Sequence, residues 1–149
     1  MITKQFAALP FRIRDNEISV LLITTRRKRR WSVPKGWPIA ECEPQRTAEI
    51  EAYEEAGLVG TAGPRPVGYY MHRKQLGKRK LDCQVEVFPL EVKKRKKDWP
   101  EKGQRDAIWI SAKAAAKLVH KPQLKRLIKR FTRLRRRSAI NRKQWFQSK

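Results

Sequence analysis

Three glutamates, Glu51, Glu54 and Glu55, stand at positions i, i+3 and i+4. On a helix that spacing puts all three carboxylates on one face, within side-chain reach of one another. Like charges this close repel, and the local sequence offers little relief. Six of the 14 acids fall between Glu41 and Glu55, a window in which Arg46 is the only basic residue. A solvated face drawn toward surrounding Lys and Arg is one explanation. A hard divalent cation is the better one, because Mg2+ takes oxygen ligands and is usually held by a few carboxylates together with substrate phosphates. The remaining composition points the same way, with 37 Lys+Arg, a net charge of +23 and a pI near 10.9. Self-repulsion at that charge is a cost, so a polyanionic partner is expected: nucleic acid, a phosphate-rich small molecule or an anionic surface. Acids and bases together imply work on a polyphosphate, with a cation at the scissile bridge and basic loops on the other phosphates.

The glutamates need a helix to gather them, and the sequence supplies one. Pro44 suits a first helical turn, where its missing N–H would be unpaired anyway, and Gly57 is a natural stop, so a helix is expected over residues 44–56. Residues 4–12 and 17–25 read as two strands joined by a turn at Asp15-Asn16, and a short strand at Trp31-Ser32-Val33 ends in Pro34-Lys35-Gly36. Extended structure follows over 58–73, broken at Gly63-Pro64. From Leu81 to Val92 the pattern predicts a half-buried antiparallel strand, with Leu81, Cys83, Val85 and Val87 on one face and Asp82, Gln84 and Glu86 on the other. A loop over 93–101, basic over its first five residues, then precedes a strand at 107–110. Ser111 is expected to cap a short helix at 112–119. The last helix opens at Pro122 with an apolar stripe of Leu124, Leu127, Ile128, Phe131 and Leu134.

A chain of 149 residues with five Trp, five Phe and three Tyr is long enough to bury a core of its own and too aromatic to be disordered. Its apolar runs are strand-sized, far short of the ~20 residues that span a bilayer. The N-terminus lacks a secretory pattern, and Cys42 and Cys83 are the only cysteines, without metal-type spacing, so a cytoplasmic setting is expected. Residues 1–138 are expected to form one domain and 139–149 a basic C-terminal tail.

The stretch from Gly36 to Leu58 resembles the Nudix box, Gx5Ex7REUxEExGU, where U is a bulky apolar residue. Gly36, Glu51, Glu54, Glu55, Gly57 and Leu58 fall on its fixed positions. Three positions depart from it: the first box Glu is Cys42, the Arg is Ile50 and the first U is Ala52. The chain looks most like the diphosphoinositol polyphosphate and diadenosine polyphosphate phosphohydrolases of that superfamily. Arg30-Trp31, Asp98-Trp99, Arg105 before Trp109 and His120-Lys121-Pro122 occur in their order.

The resemblance implies an α+β fold, a Nudix-type α/β/α sandwich with a mixed β-sheet, covering about residues 4–131. It implies a metal-dependent hydrolase of phosphoanhydride bonds in nucleoside or dinucleoside polyphosphates or inositol pyrophosphates. Glu51, Glu54 and Glu55 would be catalytic and would bind Mg2+ or Mn2+, with the backbone near Lys35-Gly36 completing the site and Glu101, beside Gln104, as a further ligand. Glu51 would be the general base. Ile50 cannot make the ion pair of the box Arg, and Glu41 or Glu43 could stand in for the acid missing at Cys42. Arg26, Lys35, Arg105 and Lys121 match or neighbour positions that contact substrate phosphates, while His72 and His120 are weaker candidates. Two alternatives stand beside this reading: an RNA 5′-pyrophosphohydrolase, and a non-catalytic RNA-binding module that uses the basic C-terminus. No membrane partner is expected.

Overall fold

A computed structural model describes residues 2–147, with side chains described from residue 2 to residue 136. Among these the chain forms eight strands and three helices. The first hairpin is β1 (Ile2–Arg14) and β2 (Glu17–Thr24), registered so that Arg14 faces Glu17. Asp15 and Asn16 turn the chain with φ of 52° and 65°. Two successive left-handed residues make the tight turn whose twist matches that of the strands, and Asp and Asn tolerate that conformation.

β3 (Trp31–Ser32) pairs with β2, and β4 (Lys35–Gly36) pairs with β1 through Phe6↔Gly36 and Ala7↔Lys35. After α1 (Pro44–Ala56) come β5 (Leu58–Ala62), β6 (Gly68–Leu76) and the long β7 (Arg79–Arg95). β8 (Ala107–Ser111) pairs with β2, and α2 (Ala112–Leu118) and α3 (Pro122–Gln147) close the fold. The sheet order is β3-β2-β1-β7-β5, with β6 also on β7. It is mixed: β1 and β7 run parallel, while β5 and β6 are antiparallel to β7.

Both faces of this sheet are covered, which explains the near-continuous apolar runs in β1 and β2. Ala7, Leu9, Phe11, Val20, Leu22, Val85 and Val87 pack under α2 and α3. The alternate residues Phe6, Ala8, Leu21, Ile23, Phe88 and Leu90 pack under α1. That is the expected α/β/α sandwich, with the glutamate helix alone on its face.

Three expectations change. The strand expected over 81–92 is parallel to one neighbour as well as antiparallel to others, and it continues to Arg95. Lys93, Lys94 and Arg95 therefore lie in β7, not in a loop. Pairing decides this, because Leu58 faces Arg95 and Val59 faces Lys94, and Arg95 Nε donates to the carbonyl of Ala56 at 3.0 Å. The stripe of α3 also ends earlier than its periodicity predicts. Leu124, Leu127, Ile128 and Phe131 are buried, but Leu134 is 46% exposed. Phe131 meets Phe11 edge-on with ring centroids 5.0 Å apart, and beyond that contact Arg135 covers the Phe11 ring at 4.9 Å. The body ends there. Burying Phe131 stabilises the α3 packing by about 2 kcal/mol. The backbone of α3 runs on to Gln147, so the residues expected to form a basic tail begin within a helix. Their side chains, Trp145 and Phe146 included, lie outside the described residues.

Candidate active site

Helix α1 spans the expected residues, and its C-terminal end organises the site. Pro44 stands in the first turn, and Gly57 ends the helix at φ 72°, a left-handed conformation that costs glycine nothing. The Trp99 indole packs where a side chain on Gly57 would stand. The Glu101 N–H donates to the carbonyl of Glu54 at 3.0 Å. These two contacts dock the 96–106 loop onto the last turn of α1, which brings Glu101 and Arg105 to the three glutamates.

Glu55 is buried at the centre. Its carboxylate faces the Lys35 N–H at 3.4 Å and the Arg105 guanidinium at 3.6 Å. Arg105 also reaches Glu101 at 3.5 Å and donates to the carbonyl of Thr24 at 3.1 Å. Burial pushes the Glu55 carboxyl up to about 7 despite Arg105, and Glu51 adds to the rise. Glu51 is also pushed up to about 7, by burial first and then by the charges of Glu54 and Glu101. Two carboxyls poised near neutrality reflect burial first, with the charges of the neighbouring acids adding to it.

Gly36 is part of the same arrangement. A Cβ there would run into the Glu51 carboxylate, so the missing side chain is the space in which that carboxylate lies. Gly36→Ala is therefore expected to displace Glu51 and lower turnover by ~10²-fold, the cost of a misplacement of about 1 Å. A steady-state kcat within a few-fold of the parent would contradict this placement.

The acid group suits a hard divalent ion. Its donors are all oxygen, they repel one another, and the Gly36 cradle leaves the Glu51 carboxylate room. Among the described residues no three acid, His or Cys side chains are gathered closely enough to hold a metal ion by themselves. Mg2+ does not need three such ligands, since it keeps several waters and is held by one or two carboxylates plus substrate phosphates.

The expected basic residues divide into two groups. Lys35 flanks Glu55, and Lys121 lies among cations of another loop, its ammonium pushed down by burial and then by Arg30 and Lys28. Arg105 is turned onto Glu55 and Glu101, which makes it the partner of the acids that Ile50 cannot be. Arg26 is exposed on the β2–β3 connection, where Lys28 and Arg30 are the residues that bear on Lys121. Glu49 is structural, accepting from the Ala62 N–H at 2.8 Å and pairing with Arg46 at 3.1 Å. Glu41 and Glu43 are exposed. Sequence reasoning missed Lys74 and gave His72 little weight. Their alternation on one face of β6, where His72 faces Cys83 and Lys74 faces Leu81, was the signal available.

Two surface hollows, one of about 280 Å3 lined by Tyr69, Gln123, Arg126 and Arg130 among others, and one of about 590 Å3 lined by Tyr53, Asp98, Trp99, Pro100 and Lys102, do not contain the carboxylates. A substrate held over the acids by charge does not require a closed pocket.

The pH dependence of stability follows from the raised carboxyls. In the metal-free protein Glu51 and Glu55 hold their protons to a higher pH than in the unfolded chain, so the native state binds more protons between the ordinary carboxylate value and about 7. These groups therefore lower stability as pH rises through that window. Metal-free Tm should fall from pH 5.5 to 7.5, and Mg2+ should restore most of the loss at the higher pH. A Tm that rises over that interval without metal would contradict the crowding.

A mixed sheet between helical layers, with one helix presenting Glu51, Glu54 and Glu55 beside the Gly36 strand and Arg105, is the architecture of a Nudix-type fold. Diphosphoinositol polyphosphate phosphohydrolase 3-alpha of Mus musculus is 32% identical over 123 residues, which cover 80% of this chain and 71% of the mouse protein. Nudix hydrolase 13, mitochondrial, of Arabidopsis thaliana is 29% identical over 127 residues, and the chain spans 62% of its length. An Ap4A hydrolase of C. elegans shares the fold at a TM-score of 0.63 and 17% identity, over 90% of this chain and 98% of that one. No family model matches the chain. The chain belongs to the Nudix hydrolase family. Among the described residues no helix is long and apolar enough to cross a membrane.

Proposed function

We propose that the chain hydrolyses phosphoanhydride bonds of a polyphosphorylated small molecule, a dinucleoside polyphosphate or an inositol pyrophosphate, and that it needs Mg2+ or Mn2+ to do so. The observation that carries this is the convergence of Glu51, Glu54, Glu55 and Glu101 at the end of α1, with Arg105 as the charge partner of Glu55 and Glu101. The printed names of the mouse and C. elegans relatives support the substrate class.

Glu51, Glu54, Glu55 and Glu101 would hold the ion, which supplies Lewis-acid polarisation of the phosphoryl oxygens. Glu51 is positioned as the base. Its carboxylate lies in the space that Gly36 leaves open, where a reacting water could reach it. The new bond joins the water oxygen to phosphorus, the bridging P–O bond breaks, and the proton goes to Glu51. Lys35 and Lys121 then balance the charge growing on the leaving phosphate. Arg105 keeps Glu55 and Glu101 in place. Release of phosphate from a panel of dinucleoside polyphosphates, inositol pyrophosphates and 5′-triphosphorylated RNA, with and without Mg2+, tests the reading. Metal-dependent turnover of the small molecules supports it, and no turnover of any of them overturns it.

A second reading, hydrolysis at or binding to an RNA 5′ end, rests on α3. Arg126, Lys129, Arg130, Arg133 and Arg136 are exposed on it, and the hollow beside β6 places Tyr69 next to Arg126 and Arg130. If RNA lies there, log affinity falls with log salt by ~0.7 per phosphate contacted. Replacing Arg126 and Arg130 by Gln would then weaken RNA binding while leaving kcat/KM on a small polyphosphate within about two-fold of the parent. A salt-independent affinity would remove RNA from consideration.

A further inference from the structure

Arg29 stands in the β2–β3 connection, yet its side chain reaches the loop that carries Arg105. Nη1 donates to the carbonyl of Gln104 at 3.1 Å, and Nη2 donates to the Asp106 carboxylate at 2.8 Å. Those residues stand immediately before and after Arg105, the charge partner of Glu55 and Glu101. One planar fork therefore spans the chain on both sides of Arg105, which a single ammonium could not do. The connection is folded to aim that fork. The Thr25 N–H donates to the carbonyl of Arg30 at 2.9 Å, the Arg29 N–H to the carbonyl of Thr25 at 3.1 Å, and the Arg30 N–H to Thr25 Oγ1 at 3.1 Å. Closed this tightly, the connection holds Arg29 at φ 53°, a left-handed conformation that a side chain disfavours. Thr24 grips the same segment from the other side. Its N–H donates to the carbonyl of Asp106 at 3.0 Å, its Oγ1 accepts from the Asp106 N–H at 2.9 Å, and its carbonyl accepts from Arg105 Nη1 at 3.1 Å.

Stability does not account for Arg29. Its side chain and that of Asp106 are 47% and 70% exposed, and ion pairs so open to water contribute little to a fold. A residue held in a disfavoured conformation to make a weak contact points to a use in the neighbouring site. We propose that Arg29 is a positioning residue, bracketing residues 104–106 so that the Arg105 guanidinium stays turned onto Glu55 and Glu101. It touches neither substrate nor ion and acts through Arg105. Its effect on turnover rests on the hydrolase reading above, whereas the bracket itself does not require turnover. Without Arg29 the segment is still tied to Thr24 and runs on into β8, where Ala107 faces Ile23. The fold therefore persists, and the freedom gained falls on Gln104 and on the aim of Arg105. Since a misplacement of about 1 Å costs up to ~10²-fold in rate, and Thr24 limits the displacement, a loss of ~10-fold is expected.

The test is a double-mutant cycle on the full chain, Arg29→Gly against Arg105→Leu, read as kcat and KM with Mg2+ on a dinucleoside polyphosphate and as metal-free Tm. Glycine removes the bracket and relieves the backbone together, whereas Arg29→Ala removes the bracket and keeps the disfavoured φ. Both should lower kcat ~10-fold with KM within about two-fold of the parent, although Arg29→Gly has the higher Tm. A role in stability alone would make the loss of rate follow Tm instead. In the Arg105→Leu background Arg29→Gly should change kcat by less than about two-fold, because the group it aims is gone. A further ~10-fold loss there, or parent-like kcat in Arg29→Gly, overturns the proposal. So does a rise in KM with kcat unchanged, which would assign Arg29 to a substrate phosphate. If the parent turns over no polyphosphate, the hydrolase reading falls and Tm decides the bracket. Arg29→Gly should then be milder by ~2 °C in the Arg105→Leu background than in the parent, and equal shifts in Tm overturn it.

Discussion

The double substitution Glu54→Gln and Glu55→Gln lowers the metal-dependent turnover of a dinucleoside polyphosphate by ~10³-fold or more, while the metal-free fold becomes no less stable. The loss follows from removing two of the oxygen donors that hold the ion and position the reacting water, effects that each contribute factors of this size. The stability follows from the same crowding. Glu55 is buried with its carboxyl pushed to about 7, and the charge of Glu54 raises Glu51, so neutral amides of the same shape relieve repulsion while keeping most of the packing. The measurement is kcat with and without Mg2+, together with metal-free Tm at pH 7.5. Parent-like turnover would place the chemistry elsewhere in the chain.

The second large effect is expected at Arg105. Its side chain is 13% exposed and that of Glu55 5%, so their 3.6 Å pair is a buried one. Removing the guanidinium leaves the buried Glu55 carboxylate without its charge partner, which in buried pairs costs about 3–5 kcal/mol, whereas a neutral amide at position 55 leaves Arg105 still paired with Glu101 at 3.5 Å. Glu55 can shed part of that cost by taking up a proton, so Arg105→Leu should destabilise the protein more at pH 8 than at pH 6. It should also cut kcat more than it raises KM, because Arg105 holds Glu55 and Glu101 in place for the ion and the reacting water. Ile50→Arg in the parent should change the rate by less than about 10-fold, since Arg105 already occupies the position of charge partner. A loss at Arg105→Leu confined to KM would assign the guanidinium to substrate phosphate instead.

How far the sequence reached can be judged from particular residues. α1 was legible to the residue, because Pro44 and Gly57 act locally through backbone geometry and need no tertiary partner. The Asp15-Asn16 turn was legible for the same reason. The parallel pairing of β1 with β7 was not, because strand direction is decided by which distant segment packs alongside, and alternation within 81–92 is the same for either direction. The basic run 93–95 reads as a loop until β5 supplies its partner strand. In the site, the three glutamates on one helix were visible from spacing alone. Arg105 was seen as a cation near phosphate, but its turn toward Glu55 and Glu101 depends on Trp99 packing against Gly57 and on the Glu101 N–H bonding to Glu54. Those contacts lie across more than forty residues of chain, and no local pattern announces them. The bracket of Arg29 around Arg105 was hidden for the same reason, since the β2–β3 connection meets residues 104–106 only in the folded chain.

The central claim is that the acidic end of α1 is a divalent-metal site, and Mn2+ binding followed by electron paramagnetic resonance tests it most directly. Titrating Mn2+ into the full chain near pH 7.5 should show saturable binding that Mg2+ displaces, and the double substitution Glu54→Gln and Glu55→Gln should weaken that binding by at least ~10-fold. The same Mn2+ affinity in the parent and the double variant, at a pH where Glu51 and Glu55 are ionised, would contradict the account.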